Sequence, residues 1–293
     1  MIAESAKIIL VTRPSPTGEQ LVNRLRALGL VAYHAPLIRF SAGSELTKLP
    51  GLLQTMRAGD LVFILSQNVI RYVNPLLHSN IPTVLEVAFG CQGDRPMSVD
   101  IPSQQRGGFK GEGDKRLWPS ELLYYAIGRR TASAFQAVSH LPVTYPTIAT
   151  SEELLTMTDL QQLSGKKALL LRGNGGRELL GKTLMQRGAE VNYCECYRRN
   201  PIHYNANQQI NNWQRLGINT FVVTSGEMLQ QLHTLVSPDF CSFWLLDCRM
   251  IVVSERLALL AKQLGWHDIQ VAKNADNDAL IHELYPKPTT RQL

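Results

Sequence analysis

LVTRPSPTGEQLVNRLRALG at residues 10–29 is followed, further along the chain, by a similar stretch, LLLRGNGGRELLGKTLMQRG, at residues 169–188. At one constant offset, identical residues recur as Leu10/Leu169, Arg13/Arg172, Glu19/Glu178, Leu21/Leu180, Leu25/Leu184 and Gly29/Gly188. Each copy has an apolar strand, an Arg, a turn of small residues and an amphipathic helix that ends at Gly. The repeat predicts two similar halves, and it directs the search for a site to the turns after the strands.

The composition is typical of a soluble globular protein that is long enough for two domains. The chain has 293 residues, of which 44% are hydrophobic and 18% charged. Its net charge of +6 is spread over scattered Lys and Arg, which is compatible with a polyanionic small ligand or with nucleic acid. The five cysteines form no CxxC or CxxH spacing, and an odd number favours a reducing cytoplasm over a zinc or disulfide framework. Apolar runs are only strand-length, and the N-terminus lacks an apolar signal-peptide core, so we expect no membrane span and no secretion.

Apolar runs followed by helical patterns recur along the chain. The predicted strands are Ile8–Thr12, Leu61–Ser66, Tyr124–Gly128, Lys167–Arg172, Thr220–Ser225 and Met250–Ser254. Short apolar runs bounded by turns are typical of strands buried on both faces, and alternation with helices predicts βαβ units. We therefore predict an α/β fold with two similar lobes, each a mainly parallel sheet flanked by helices.

The order of the repeated units predicts that one lobe is inserted into the other. One lobe holds its units contiguously, whereas the other has its Arg13 unit at the start of the chain and its Ser225 and Ser254 units after residue 200. We expect a discontinuous domain of residues 1–37 plus 200–286 and an inserted domain of residues 38–199, joined by a two-stranded linker with an interdomain cleft. Residues 79–117, which are rich in Gly and lack periodicity, are interpreted as a mobile insertion, and residues 287–293 as a disordered tail.

Hydroxyls, Gly and Arg dominate the predicted carboxyl ends of the strands, which is where parallel α/β sheets bind ligands. The candidate substrate-binding residues are Arg13, Pro14, Ser66, Asn68, Gly128, Thr131, Arg172, Gly173, Asn174, Thr224, Ser225 and Ser254. Arg side chains and the free N–H groups of helix N-termini suit a ligand with several carboxylates or phosphates. Carboxylates and histidines are scarce at these strand ends, so we expect no general base catalysis and no bound metal or cofactor. Taken singly, each hydroxyl is better explained as a helix N-cap and each glycine as a turn, whereas the set as a whole is better explained by a site between the two lobes.

Two apparent motifs are interpreted as structural. Gly176–Thr183 matches the phosphate-loop pattern GxxxxGK[ST], with Phe243–Asp247 as a companion strand. However, the predicted strand ends at Arg172, and the repeat places Lys182 on the body of a helix. Asp276–Asp278 resembles a metal cluster, but it precedes an apolar run, which favours a helix cap.

Several segments together resemble the uroporphyrinogen-III synthase family of the enterobacterial type. They are VTRPSPTGEQLVNRLRALG, APLIRF, LLYYAIGRRTA, ALLLRGNGGRELL, CECYRR, VVTSGEMLQQL, VVSERLALLAKQLGW and VAKNADNDAL. The resemblance implies two α/β lobes around an open cleft. It also implies a cofactor-independent lyase of heme biosynthesis, which closes the linear tetrapyrrole hydroxymethylbilane with loss of water and inversion of ring D.

The resemblance also implies roles for particular residues. The eight carboxylates of hydroxymethylbilane suit the Arg- and hydroxyl-bearing strand ends. Loss of the hydroxyl would give an azafulvene cation, and attack at ring D a spiro intermediate that recloses with the ring inverted. Tyr197 in CECYRR matches the family's candidate acid. A phenol with an ordinary pKa near ~10 stays protonated at neutral pH and can donate a proton. The alternative is that Tyr197 packs against Pro201 at a hinge. Residues 127–132 keep an IGxxTA turn that residues 252–257 lack, which leaves the role of Ser254 open.

The partners implied by the resemblance are few. We expect a cytoplasmic monomer that takes hydroxymethylbilane in transient hand-over from the upstream deaminase, with no nucleic-acid or membrane partner. A second hypothesis stays open, because acid and base groups are sparse. It is a two-lobed binding protein for an anionic small molecule, without turnover.

Overall fold

The computed structural model describes residues 6–78, 118–176, 178–235 and 242–286. The expected mobile insertion 79–117 and disordered tail 287–293 lie outside these ranges. The chain divides into a discontinuous unit, Met1–Ser41 with Arg199–Leu293, and an inserted unit, Ala42–Arg198. The repeat predicted a discontinuous domain of residues 1–37 plus 200–286 and an inserted domain of residues 38–199. These domain bounds and the interdomain cleft stay predictions.

The discontinuous unit contains a five-stranded sheet in the order β10-β9-β8-β1-β2. Every neighbouring pair in this sheet is parallel. Its strands are β1 (Ile8–Val11), β2 (Val31–His34), β8 (Thr220–Val222), β9 (Arg249–Val252) and β10 (Ile269–Val271). Its helices are α1 (Thr17–Ala27), α7 (Ala206–Arg215), α8 (Gly226–Leu235), α9 (Ser242–Asp247), α10 (Glu255–Gln263) and α11 (Asn277–Leu284).

The second sheet has the order β3-β7-β6-β4-β5. The pairs β7–β6, β6–β4 and β4–β5 are parallel. Its strands are β3 (Ile38–Ala42), β4 (Leu61–Ile64), β5 (Leu123–Ala126), β6 (Lys167–Gly173) and β7 (Glu190–Pro201). The helices of the inserted unit are α2 (Leu49–Gln54), α3 (Gln67–His78), α4 (Arg129–Ser139), α5 (Ser151–Leu154) and α6 (Leu179–Gln186), with 3-10 turns at Leu46–Lys48 and Thr158–Leu160. Two mainly parallel sheets flanked by helices confirm the predicted fold class.

The chain passes between the two units inside β3 and β7, which are neighbours in the second sheet. On the side of the discontinuous unit, the Asn200 Nδ2 donates a hydrogen bond of 2.8 Å to the Ser41 Oγ. The two points at which the chain leaves and re-enters the discontinuous unit are therefore joined by a side-chain hydrogen bond.

Apolar side chains cover both faces of the first sheet, as expected for parallel strands. Leu10 of β1 lies in a cluster with Trp213 and Trp266, whereas its neighbours Ile9 and Val11 lie in another cluster on the opposite face. In the described part of the chain, no helix is long and apolar enough to cross a bilayer.

The repeat corresponds to one local structure built twice. The shared leucines of α1 and α6 are buried. The glycines that follow these helices have positive φ, +79° at Gly29 and +94° at Gly188, a conformation in which glycine avoids the Cβ clash. Lys182 lies within α6, as the repeat predicts, and Phe243–Asp247 lies within α9, so this segment is not the companion strand of a phosphate loop.

Strand bounds differ from the predicted ones in a consistent way. Five of the predicted strands are shorter at their carboxyl ends than predicted. The last residues of β1, β4, β5, β8 and β9 are Val11, Ile64, Ala126, Val222 and Val252. The first residue beyond four of these ends still donates a backbone hydrogen bond to a neighbouring strand, as seen at Thr12, Leu65, Ile127 and Val223. The residues that follow turn the chain or cap the next helix. The strands β2, β3, β7 and β10 were absent from the predicted set, because none of them has a continuous run of buried apolar residues.

We predict that Asp60, at the start of β4, is the most sensitive acidic residue for stability in the inserted unit. Its side chain is 3% exposed, and its carboxylate accepts hydrogen bonds from the backbone N–H groups of Arg57 (2.7 Å) and Lys167 (2.9 Å). Asp60→Ala removes the buried acceptor of both part-buried hydrogen bonds, so the free energy of unfolding should fall by about 2–4 kcal/mol. Urea unfolding followed by circular dichroism measures this, with Asp159→Ala at an exposed position as the control. Equal midpoints for the two variants would contradict the prediction.

Candidate functional site

Arg13 follows the carboxyl end of β1 in the discontinuous unit. The preceding Thr12 is fully buried, and its hydroxyl donates to the Val222 carbonyl at 2.8 Å, which fixes where the strand ends. The Arg13 Nη1 donates to the Asn277 Oδ1 at 2.6 Å. Burial lowers the pKa of the Arg13 guanidinium and the nearby Asp276 carboxylate opposes this shift, but an Arg keeps its charge at neutral pH.

The backbone of the same turn is fixed by a close approach. His34 Nε2 lies 2.8 Å from the Arg13 carbonyl oxygen, and the Gly18 N–H donates to the Pro14 carbonyl at 3.0 Å. A Cβ on Gly18 would lie 2.3 Å from the Arg13 oxygen and 2.4 Å from His34 Nε2. Only glycine leaves room for this contact, so Gly18 sets the position of the Arg13 turn.

Three of the predicted hydroxyl and amide positions are helix caps. In each, the serine Oγ accepts a hydrogen bond from a backbone N–H in the first turn of α3, α8 or α10. The pairs are Ser66–Asn68 at 3.1 Å, Ser225–Met228 at 3.2 Å and Ser254–Leu257 at 3.3 Å. A hydroxyl that accepts in a cap still carries its own proton. The capping role therefore leaves each serine able to donate to an anion.

Other candidates at these edges are more enclosed. Gly128 is the extended N-cap residue of α4, and a Cβ there would lie 2.6 Å from the Ala149 Cβ. Thr131, in the first turn of α4, is only 6% exposed. Thr224 is half-buried where the chain leaves β8.

Arg172 is the repeat counterpart of Arg13 and lies near the end of β6. Its Nη1 donates to the Glu178 Oε1 at 3.1 Å, and its guanidinium lies 5.0 Å from the centre of the Tyr193 ring. The side chain is 17% exposed. Arg172 is thus held by both an ion pair and a cation–π contact.

Tyr197 packs into the neighbouring strand end. Gly173 of β6 pairs with Tyr197 of β7 at a register shift, and the exposed Asn174 donates its N–H to the Tyr197 carbonyl at 3.1 Å. A Cβ on Gly173 would lie 2.6 Å from the Cε2 and Cζ atoms of Tyr197. The tyrosine, which is 5% exposed, therefore occupies the space that the glycine leaves.

Tyr72 is a neighbour that the sequence analysis missed. Its ring stacks on Tyr197 with centroids 6.3 Å apart and an interplanar angle of 14°. Burial raises the pKa of Tyr72, and Arg71 opposes the shift. The i, i+4 spacing from Asn68 on α3 was a usable signal, because residues four apart share a helix face.

The structure thus groups the predicted residues within each unit. The inserted unit brings Gly173, Asn174 and Tyr197 together with Tyr72, and the discontinuous unit joins Arg13 to Asn277. Within the described ranges, no group of three or more His, Cys, Asp or Glu side chains could hold a metal ion.

Comparison with known proteins assigns this arrangement to a family. The family model described as "Uroporphyrinogen-III synthase HemD" matches residues 19–282. This chain belongs to the uroporphyrinogen-III synthase family. It is 48% identical over 277 residues to a uroporphyrinogen-III synthase of Escherichia coli (strain K12), covering 94% of this chain and 99% of that protein. It is 40% identical over 225 residues to the Proteus mirabilis protein of the same name, covering 76% of this chain and 96% of the relative.

Solved structures of the family share the fold. A mutant uroporphyrinogen III synthase from the extremely thermophilic bacterium Thermus thermophilus has a TM-score of 0.54 at 14% identity, over 94% of this chain and 96% of that one. The synthetase from Helicobacter pylori 26695 has a TM-score of 0.50 at 15% identity, over 94% and 97%. At this identity the likeness concerns the fold alone.

We predict that Gly173 and Tyr197 are energetically coupled. Gly173→Ala places a methyl group against the Tyr197 ring, and such overpacking should cost about 1–3 kcal/mol of unfolding free energy. In a Tyr197→Ala background the ring is gone, so the same substitution should cost much less. A double-mutant cycle by urea unfolding measures the coupling. Gly51→Ala, at a position open to solvent, is the control, and an equal cost of Gly173→Ala in both backgrounds would refute the coupling.

Proposed function

We propose that this chain is a uroporphyrinogen-III synthase, which closes hydroxymethylbilane with loss of water and inversion of ring D. The observation that carries the proposal is the family match over residues 19–282, joined to 48% identity with a relative covered over 99% of its length. The chain is accordingly an enzyme of tetrapyrrole biosynthesis. Among the residues that the structure describes, no observation favours the alternative, a binding protein without turnover.

The chemistry of the strand ends supports this substrate. Hydroxymethylbilane carries eight carboxylates, and the two sheets present Arg13, cap hydroxyls and helix N-termini, all of which bind anions. The bilane cyclises unaided to the isomer with ring D uninverted. The enzyme's main task is therefore to hold the chain in a geometry that favours the spiro route, which is catalysis by orientation.

Tyr197 is our proposed acid for the first step. Its phenol proton would pass to the departing hydroxyl, which leaves as water, and the electron pair of the pyrrole nitrogen would form the azafulvene cation. Packing on Gly173 and stacking on Tyr72 hold the ring in one orientation. A proton donor that is oriented in advance loses little entropy in the transition state, which supports this role.

The remaining expectations are part of the same proposal. We infer a monomer in a reducing cytoplasm that receives hydroxymethylbilane in transient hand-over from the upstream deaminase. The free thiols of Cys194, Cys196 and Cys248 support the reducing compartment.

Product analysis tests the activity directly. Freshly made hydroxymethylbilane is incubated with the purified chain, and the oxidised products are resolved by isomer. We expect mainly the type-III isomer, against type I in the heat-denatured control. Type I alone in the presence of the folded chain would refute the proposal and favour the alternative, a binding protein without turnover.

Replacement of the phenol tests Tyr197. Tyr197→Phe keeps the packing on Gly173 but removes the proton, so we expect kcat to fall about 100-fold with an unchanged midpoint of urea unfolding. Tyr72→Phe is the matched control, because it keeps the stacked ring and should leave kcat within about twofold. An unchanged kcat for Tyr197→Phe would remove Tyr197 from the catalytic residues.

A further inference from the structure

The two arginines related by the repeat are held by groups of different charge. Arg172 donates to the carboxylate of Glu178, whereas Arg13 donates to the side-chain amide of Asn277. The sequence repeat alone predicts equal roles for the two. Their partners make the roles unequal, because a carboxylate neutralises a guanidinium and an amide does not.

Arg172 is satisfied within its own unit. The Glu178 Oε1 lies 3.1 Å from its Nη1, and the Tyr193 ring, whose hydroxyl lies 3.5 Å from the Glu178 Oε2, covers one guanidinium face. A substrate carboxylate would have to compete with Glu178 for the same positive charge. This arrangement is typical of a structural ion pair.

The equivalent carboxylate does not bind Arg13. Glu19, the repeat counterpart of Glu178, accepts a hydrogen bond of 2.7 Å from the Ser15 hydroxyl and lies 3.9 Å from the His34 Nδ1. The partners that Glu19 contacts are thus Ser15 and His34, and not Arg13. The neighbouring charge that acts on Arg13 is Asp276, and burial outweighs it in lowering the pKa of the guanidinium. The charge of Arg13 is therefore only partly compensated by its surroundings.

Asn277 is built to orient Arg13. It is the first residue of α11, its Oδ1 accepts the 2.6 Å bond from the Arg13 Nη1, and its Nδ2 donates to the Thr17 carbonyl at 3.3 Å. Both ends of the amide are used, so its rotation is fixed. Asn277 thereby ties the guanidinium to α11 and to the start of α1 without neutralising it.

We propose that Asn277 is a positioning residue that holds Arg13 for a substrate carboxylate, and that Arg172 serves as a structural ion pair with Glu178. The proposal rests on the proposed function for the identity of the substrate. It assigns the binding of a substrate carboxylate to Arg13, which follows a strand end of the discontinuous unit, and not to Arg172. The polar partner, amide or carboxylate, sets which arginine is available.

Substitutions that add or remove one negative charge beside the two arginines test this assignment. Asn277→Asp keeps an acceptor for Arg13 but adds the neutralising charge, so we expect KM for hydroxymethylbilane to rise about tenfold, the loss typical of one hydrogen bond to a charged group. We expect kcat to stay within about twofold and the thermal midpoint not to fall, since the Arg13 bond becomes an ion pair. Glu178→Gln should leave KM unchanged or lower. Asn212→Asp, at an exposed position in the same unit, controls for the added charge.

A binding readout separates this inference from the proposed function. Equilibrium dialysis with uroporphyrin III, an octacarboxylic porphyrin, gives a Kd that needs no turnover, and Asn277→Asp should raise it about tenfold. An unchanged Kd and KM in Asn277→Asp, or a rise matched by Asn212→Asp, would overturn the inference even where type-III product forms. A lower thermal midpoint in Asn277→Asp, equal to that in Asn277→Ala, would assign Asn277 a merely structural role and overturn it as well.

Discussion

The parallel pairing of strands is the constraint on which the rest of the structure depends. In a parallel sheet every carboxyl end lies on the same edge, and each following helix begins there. β1, β8 and β9 are parallel neighbours in one sheet, as are β4, β6 and β7 in the other. Residues that are far apart in sequence are therefore collected at one edge of each unit. Buried strands on both faces then require helices on both sides, which the amphipathic patterns provide.

The repeat predicted the shared parts of the two units and could not predict their differences. The Leu positions, the closing glycines and the helical placement of Lys182 follow from local periodicity, and the structure agrees with each. The cap hydroxyls were also predictable, because a cap is made within four residues. The Arg13–Asn277 bond joins residues that are 264 positions apart, and no local pattern encodes such a contact. Asp276–Asp278 has the pattern of a metal cluster or a helix cap, and neither interpretation indicates that Asn277 binds Arg13.

Close approach of backbone and side chain accounts for the other residues that sequence reasoning placed only in part. Gly18 and Gly173 are needed because a neighbour occupies the place of their missing Cβ, the Arg13 carbonyl in one case and the Tyr197 ring in the other. The glycines of turns with positive φ were recognisable from their position after a helix. A glycine required by a distant neighbour has no such signature. The spacing of Tyr72 from Asn68 indicates a shared helix face, but no local pattern reveals its stacking partner Tyr197, which lies on another element.

The bond between Ser41 and Asn200 bears on how such a chain can arise. The two ends that the discontinuous unit offers to the inserted segment lie within one hydrogen bond of each other, so a turn of a few residues would close that unit on itself. A duplicated domain can therefore nest inside its copy at this single point without breaking any strand of the sheet that contains β1. The interrupted order of the repeats along the chain is the order that one insertion between Ser41 and Asn200 would produce, and such an insertion requires no rearrangement of the sheet that contains β1.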